Sequence, residues 1–143
     1  MSAYYGTDHY SIDEKGRLAI PAQARRSAAK SATFILVPGF EGCLALYNET
    51  QWARVEERLQ QLPGKRMDRA FKRALLMNAK RVTVDAQGRI TIPSALLDRA
   101  GLGKEAVLLG QGTHLEIWNR ERLQVVLGEA EANFEKVAEE VLK

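Results

Sequence analysis

Two short segments of the chain place an arginine four residues after an aspartate, with a glycine directly before the arginine. They read Asp13-Glu14-Lys15-Gly16-Arg17 and Asp85-Ala86-Gln87-Gly88-Arg89. An aspartate at the start of a tight turn bonds the backbone ahead of it, and the glycine supplies the positive φ that a hairpin loop needs. The arginine then begins a strand on which apolar residues alternate with it. We therefore expect two loops that each direct a guanidinium away from the core, where it could contact phosphate.

The same residues have a purely structural interpretation, which stays open at this point. Asp13 and Arg17 could form a local ion pair that only fixes the turn. The arginine occurs in both copies, whereas Glu14 and Lys15 are replaced by Ala86 and Gln87. The turn itself accounts for the aspartate and the glycine, so the repeated arginine favours a shared task.

The two loops belong to an internal repeat. Residues 11–21 align with residues 83–93 at a shift of 72 residues, and the likeness continues into residues 34–48 and 106–119. One such unit of short strands exposes its edges and buries too little surface to stand alone. We predict an α+β fold in which two tandem units form one pseudo-twofold, swapped-hairpin β-barrel with flanking helices.

Four segments are predicted along the chain. They are a first β unit over residues 7–50, connecting helices over 51–78, a second β unit over 79–122 and a C-terminal helix over 123–143. The proline after each arginine strand opens a short helix, predicted over 22–29 and 94–100.

Local signals mark where several of these helices begin and end. Asn48 and Asn119 each follow a strand and are predicted to be helix N-caps. Gly101 is predicted to be a helix C-cap.

The formal net charge of +3 is distributed unevenly. Residues 65–81 hold seven bases and one acid, whereas residues 119–143 hold four bases and six acids. A basic helix beside two outward arginines is typical of phosphate contact, and Lys72 and Arg73 are candidates for it. Such a helix can equally be a solvated face or can pair with acidic neighbours, for which the C-terminal acids could serve.

Other classes of function find little support. One cysteine, Cys43, and two distant histidines, His9 and His114, do not suffice for a Cys/His metal cluster, and no cofactor is predicted. No nucleophile stands beside a base in the sequence, and a glycine pair at 110 and 112 is a weak phosphate-loop signal. The chain lacks the features of a signal peptide and any run of about 18 apolar residues. We expect a protein of the reducing cytosol that is not an enzyme and has neither a membrane nor a small-molecule substrate as partner.

The two loop segments and several other motifs follow one another along the chain in a set order. They include residues 13–21 and 85–93, Cys43-Leu44-Ala45-Leu46-Tyr47 followed by Trp52, Arg73-Ala74-Leu75-Leu76 with Ala79, and Glu116-Ile117-Trp118. In these motifs, spread from about residue 5 to residue 118, the sequence resembles the MraZ family, which is built from two tandem SpoVT/AbrB-type units. The resemblance implies a bacterial transcription regulator of the cytoplasm and nucleoid. It also implies closed rings of subunits that bind double-stranded DNA at direct repeats upstream of their own division and cell-wall gene cluster.

The resemblance further implies which residues contact DNA. In the family the repeated Asp-x-x-x-Arg motif is the DNA-contacting element, so Arg17 and Arg89 are the principal candidates, with Lys15 beside the first and Gln87 in its place in the second. The turns are supported by Asp13, Gly16, Asp85 and Gly88. A two-stranded ribbon fits the major groove, and a ring lets each subunit engage one repeat. The alternative is an oligomeric protein-interaction scaffold without direct DNA contact.

Overall fold

The structure is a computed structural model that describes residues 4–27 and 32–143. The elements of its first half are β1 (Thr7–Ser11), β2 (Arg17–Ala19), α1 (Ala22–Ser27), β3 (Thr33–Pro38) and β4 (Leu44–Asn48). Two connecting helices follow, α2 (Glu49–Gln60) and α3 (Arg66–Met77). The second half consists of β5 (Lys80–Thr83), β6 (Arg89–Thr91), α4 (Ser94–Ala100), β7 (Glu105–Gly110), β8 (Leu115–Trp118), α5 (Arg120–Ala132) and α6 (Phe134–Leu142).

The strands of the two halves pair with each other. A six-stranded antiparallel sheet has the order β1-β7-β8-β4-β3-β5, and β2 and β6 form a separate two-stranded ribbon. In the sheet, β1 of the first half pairs with β7 of the second, and β5 of the second half pairs with β3 of the first. Because β1 to β4 correspond to β5 to β8 in the repeat, exchanging the halves leaves this order unchanged.

The described strands do not close into the predicted barrel. In the sheet formed by residues 4–27 and 32–143, β1 and β5 each have a neighbour on one side only. The ribbon strands are three residues long and pair with each other, and each follows an edge strand through a tight turn, in which the N–H groups of Asp13 and Asp85 donate to the Arg17 and Arg89 carbonyls at 3.1 and 2.8 Å. The predicted α+β class is confirmed, whereas the described strands form a six-stranded sheet and a two-stranded ribbon in which no closed barrel is found.

One apolar core lies between the ribbon and the sheet. Leu18 and Ile90 face each other in the ribbon and are 0% and 1% exposed. They pack in one cluster with buried residues of the sheet, including Phe34, Leu36, Leu46, Leu108 and Ile117. The alternating apolar side chains of β2 and β6 therefore fix the ribbon to one face of the sheet.

Helix caps form where the sequence predicts them. The Asn48 side chain accepts a hydrogen bond from the backbone N–H of Gln51 at 2.8 Å, and Asn119 accepts one from that of Arg122 at 3.0 Å. Gly101 ends α4 with a left-handed φ of 65°. These caps depend on residues a few positions apart, which is why local sequence predicts them.

Three helical segments differ from their predicted extents or lie partly beyond the description. The C-terminal segment is two helices, because Asn133 takes a non-helical backbone conformation with φ of −115° and separates α5 from α6. Lys80 and Arg81, counted above with the basic helix, lie on β5. The predicted end of the first short helix, residues 28 and 29, lies outside the described residues. No helix in the described part of the chain is long and apolar enough to cross a membrane.

Candidate nucleic-acid interface

One carboxylate organises the first arginine loop. Oδ1 of Asp13 accepts hydrogen bonds from the backbone N–H groups of Lys15 at 3.0 Å and Arg17 at 2.9 Å, while its Oδ2 lies 2.6 Å from Nε of Arg17. Gly16 has a φ of 79°, and its N–H donates to the Asp13 carbonyl at 3.0 Å. The loop conformation and the orientation of the arginine thus depend on the same side chain.

The second loop repeats this arrangement. Oδ1 of Asp85 accepts from the backbone N–H groups of Gln87 and Arg89, both at 2.9 Å, and its Oδ2 lies 3.1 Å from Nε of Arg89. Gly88 has a φ of 81°. The local ion pair considered as a structural alternative is therefore present in both loops. In both loops the carboxylate binds the guanidinium at Nε, the nitrogen nearest the backbone, and this contact orients the arginine side chain.

Backbone hydrogen bonds connect each loop to the strand of the other half. The Ile92 N–H donates to the Gly16 carbonyl at 2.8 Å, and the Ile20 N–H donates to the Gly88 carbonyl at 2.9 Å. A Cβ on Gly16 would lie 2.8 Å from the Ile92 carbonyl oxygen, so this close approach requires glycine. The structure therefore brings the two loops, predicted from separate segments, into one ribbon.

Both loop carboxylates are held in their ionised form. The backbone N–H of Arg17 and then its guanidinium lower the pKa of Asp13, and the corresponding groups of Arg89 lower the pKa of Asp85. At neutral pH each aspartate consequently balances the arginine of its own loop. Excess positive charge at the ribbon must then come from other side chains.

Arg25, which belongs to none of the sequence motifs described above, lies against the second loop. A Cβ on Gly88 would be 2.9 Å from both Cζ and Nη1 of Arg25, and Nε of Arg25 donates to the Ile20 carbonyl at 3.0 Å. The corresponding residue of the second half is Leu97, whose Cδ1 would be 3.4 Å from a Cβ on Gly16. The sequence contains one signal that could have indicated this role of Arg25: at corresponding positions of the repeat, the first half has a cation and the second half has an apolar residue.

The basic helix α3 lies on the other face of the sheet from the ribbon. Leu75 of α3 packs with the cluster of Ile35, Val37, Ala45 and Trp52. The ribbon packs with Leu36, and adjacent strand residues point to opposite faces. The structure therefore does not place Lys72 and Arg73, both exposed on α3, beside the ribbon arginines of the same subunit.

Several apolar side chains of α3 are exposed on the single chain, as are those of the C-terminal helices. Met67 and Phe71 of α3 are 76% and 54% exposed, and Phe134 and Val137 of α6 are 62% and 50% exposed.

The charge of α3 is smaller than the count over residues 65–81 implied, because two of the counted bases lie on β5. These are Lys80 and Arg81, and Arg81 pairs with Glu49 at 2.9 Å.

The groups capable of other chemistry are buried or separated. Cys43 is buried, and this burial, reinforced by the neighbouring Glu116, raises the pKa of its thiol to about 12. His114 stacks on Tyr47 with ring centroids 4.6 Å apart, and burial lowers the pKa of its imidazole. Among the side chains that the structure describes, no three metal-ligating groups of His, Cys, Asp or Glu come together.

Comparison with known proteins assigns the chain to a family. The family model for the MraZ protein matches it twice, over residues 3–74 and over residues 75–143. The chain belongs to the MraZ family. The chain is 40% identical to a protein named transcriptional regulator MraZ from Heliobacterium modesticaldum, over 97% of this chain and 96% of that protein. Proteins of the same name from Pediococcus pentosaceus and Desulforamulus reducens are also 40% identical, over 97% of this chain and 96% and 97% of their own lengths.

These matches confirm the MraZ resemblance drawn from the sequence motifs, and they extend it beyond the motif-bearing residues to the C-terminus at residue 143. The two matches of the MraZ model meet within α3, so each contains one of the arginine loops. The tandem MraZ units and the two loops are therefore the same duplication.

Proposed function

We propose that this chain is a transcription regulator that binds double-stranded DNA through the ribbon carrying Arg17 and Arg89. The observation that carries the proposal is the pair of interlocked loops, in which Gly16 bonds Ile92 and Gly88 bonds Ile20 through the backbone. The names of the relatives, all transcriptional regulators, support the same role.

Each ribbon arginine is prepared for a directional contact. Nε is engaged by the loop aspartate, which fixes the side chain, and no hydrogen bond within the described residues engages the outer amino groups, although Nη1 of Arg89 lies 3.8 Å from Oδ2 of Asp13. A guanidinium held in this way suits bidentate recognition of the O6 and N7 atoms of guanine in the major groove, which admits a two-stranded ribbon. Fixing the side chain before binding lowers the entropic cost of the contact.

The neighbouring loop residues extend this contact in two different ways. Lys15 is exposed and supplies a point charge for a phosphate, whereas Gln87, also exposed, carries an amide suited to the N6 and N7 atoms of adenine. The two loops would therefore contribute unequal contacts. Lys72 and Arg73 lie on the other sheet face, so any phosphate that they contact lies outside the ribbon's own groove.

We propose in addition that subunits assemble into a closed ring that binds direct repeats upstream of its own division and cell-wall gene cluster, in the cytoplasm and nucleoid. The exposed apolar side chains of Met67 and Phe71 on α3 and of Phe134 and Val137 on α6 support self-association. One ribbon offers a small footprint, and linking several ribbons raises the affinity for repeated sites through effective concentration.

The experiment that tests DNA recognition is an anisotropy titration with two labelled duplexes. One carries the direct repeats upstream of the chain's own gene, and the other is a shuffled sequence of equal composition. Specific DNA-binding proteins prefer their sites by at least about 10³-fold, and we expect a preference of this order. Equal affinity for both duplexes would contradict sequence-specific regulation.

An interaction scaffold without DNA contact is the second candidate. It is favoured by the position of α3, whose basic and apolar side chains are exposed on the face opposite the ribbon. Neutralising the bases in residues 65–73 would then reduce the oligomer mass measured by light scattering, and no duplex would bind at low salt. DNA binding with an unchanged oligomer mass in this variant would exclude the scaffold.

A further inference from the structure

The two arginine loops differ in the side chain that packs on each loop glycine. Arg25 of α1 lies against Gly88 in the second loop, and Leu97 of α4 lies against Gly16 in the first. Arg25 and Leu97 occupy corresponding positions in the repeat, 72 residues apart. The ribbon is therefore symmetric in its backbone and asymmetric in the charge beside its loops.

This asymmetry compensates for a second one within the loops. The first loop has Lys15 two residues before its arginine and an apolar Leu97 beside it, whereas the second has the neutral Gln87 and the cationic Arg25. Each loop consequently has one cation in addition to its aspartate-paired arginine, and the first loop alone carries a second acid, Glu14, where the second has Ala86. In the first loop that cation lies within the loop, and in the second it is supplied by α1.

Arg25 is held in place without losing its charge. Its Nε donates to the Ile20 carbonyl at 3.0 Å, and its guanidinium packs on the Gly88 backbone. Over residues 4–27 and 32–143 no carboxylate forms an ion pair with it, unlike Arg17 and Arg89, which have Asp13 and Asp85. A positioned, partly exposed guanidinium without a counter-charge is a ready partner for an anion.

The position of Arg25 in the ribbon indicates which anion. The Gly88 carbonyl bonds Ile20 one residue beyond β2, so Arg25 lies at the end of the ribbon, whereas Leu18 and Ile90 face each other at its centre. The ends of a ribbon that enters the major groove lie next to the phosphates along the groove edges.

We propose that Arg25 contacts a DNA phosphate beside the second loop and there performs the role that Lys15 performs beside the first. This inference rests on the proposed DNA binding through the ribbon. It assigns Arg25 to backbone contact, so its contribution is independent of base sequence and sensitive to salt.

The test uses the full chain and the promoter and shuffled duplexes, titrated between 50 mM and 200 mM salt. Arg25→Gln removes the charge and keeps a donor, and Arg25→Lys keeps the charge. The double variant Arg25→Gln with Gln87→Lys moves the charge into the loop. Arg26→Gln is the matched control, because Arg26 is the next residue of α1 and is exposed. Thermal unfolding of each variant reports its stability separately.

We expect Arg25→Gln to weaken binding to both duplexes roughly three- to tenfold and to reduce the slope of log K against log salt by about one for each engaged ribbon. Arg25→Lys should keep the wild-type slope, the double variant should regain it, and Arg26→Gln should not change it. An unchanged slope in Arg25→Gln would overturn the inference, as would an equal change in Arg26→Gln. A lower melting temperature with the wild-type slope would assign Arg25 a purely structural role.

The failure of this inference is distinguishable from the failure of the proposed function. If Arg17→Ala and Arg89→Ala weaken promoter binding while Arg25→Gln binds as the wild type does, only the role of Arg25 is wrong. If wild-type protein binds neither duplex, or binds the promoter equally well without both ribbon arginines, both proposals are wrong.

Discussion

Asp13 lies within ion-pair distance of both ribbon arginines, although Arg89 belongs to the other half of the chain. Its Oδ2 is 2.6 Å from Nε of Arg17 and 3.8 Å from Nη1 of Arg89. Asp85 pairs with Arg89 at 3.1 Å. The first aspartate therefore couples the two loops electrostatically, and the two halves of the repeat are not equivalent at this site.

Removing either ribbon arginine should weaken recognition of the promoter duplex. We expect Arg17→Ala and Arg89→Ala each to cost about 1–3 kcal/mol of binding free energy, because each would remove the bidentate base contact proposed for that arginine. Anisotropy titration at one salt concentration measures this loss.

The matched control for these variants is the double variant Lys72→Ala with Arg73→Ala, which removes two charges from the opposite face of the sheet. Its preference for the promoter duplex over the shuffled duplex should stay at the wild-type value. Folded arginine variants that bind with wild-type affinity would refute the assigned role.

The unequal aspartates predict unequal effects on specificity. Asp13→Asn keeps an oxygen for the turn and removes the charge that orients Arg17 and Arg89, so preference for the promoter should fall roughly fivefold, or about 1 kcal/mol. Binding to the shuffled duplex should increase slightly, because the net charge increases by one. Asp85→Asn should have the smaller effect, and the reverse order would contradict the coupling through Asp13. Parallel titrations of both duplexes give the ratio.

The lowered pKa values of Asp13 and Asp85 predict the direction of a pH effect. A carboxylate whose pKa is lower in the folded state stabilises that state at pH values above its unfolded pKa, which is about 4 for aspartate. That stabilisation is lost as the pH falls further through the folded value. Urea unfolding at several pH values should show a weaker dependence between pH 5 and pH 2 in the Asp13→Asn, Asp85→Asn double variant. Identical curves for the two proteins would argue against this linkage.

Gly16 should tolerate alanine less well than Gly64 does. Both have positive φ, 79° and 81°, but a Cβ on Gly16 would lie 2.8 Å from the Ile92 carbonyl oxygen, whereas nothing lies within 4 Å of one on Gly64. Gly64→Ala thus measures the conformational cost alone, about 1 kcal/mol, and Gly16→Ala should exceed it by at least about 1 kcal/mol. Urea unfolding measures the free energy of unfolding of both variants. Equal decreases would show that the ribbon backbone moves to accommodate the added Cβ at this contact.

The thiol of Cys43 should react only when the chain unfolds. Burial raises its pKa to about 12, so the fraction present as thiolate at pH 8 is about 10⁻⁴. The rate of modification by a disulfide reagent at this pH should therefore be negligible in the native protein and fast in denaturant. Rapid modification of native protein would indicate that Cys43 is accessible.

Sequence predicted the features that depend on neighbouring residues. Asp13, Gly16 and Arg17 form their turn within five positions, and the caps at Asn48 and Asn119 bond residues three positions ahead. The packing of other residues against the loops could not be predicted from the sequence. The Arg25 guanidinium meets Gly88 only because β2 and β6 pair across the repeat, a contact that no local pattern encodes.

The placement of the basic helix shows the same limit. The spacing of apolar residues predicted α3, and the charge count suggested that it lies beside the arginines. Its position depends on whether Leu75 packs against the face of β3 that includes Ile35 or the face that includes Leu36. Ile35 and Leu36 are adjacent in the sequence but point to opposite faces of the sheet. The spacing of apolar residues along α3 therefore does not indicate which of the two faces the helix covers.

The exchange of strands between the halves determines when the chain can fold during synthesis. β1 leaves the ribosome well before its partner β7, which follows roughly a hundred residues later, since Thr7 pairs with Leu109. The first half also waits for β5 and β6 to complete its sheet edge and its ribbon. A nascent chain that stops after α3 leaves these strands unpaired and open to aggregation. The arginine ribbon therefore forms only after β6 has been synthesised, as a product of both copies of the duplication.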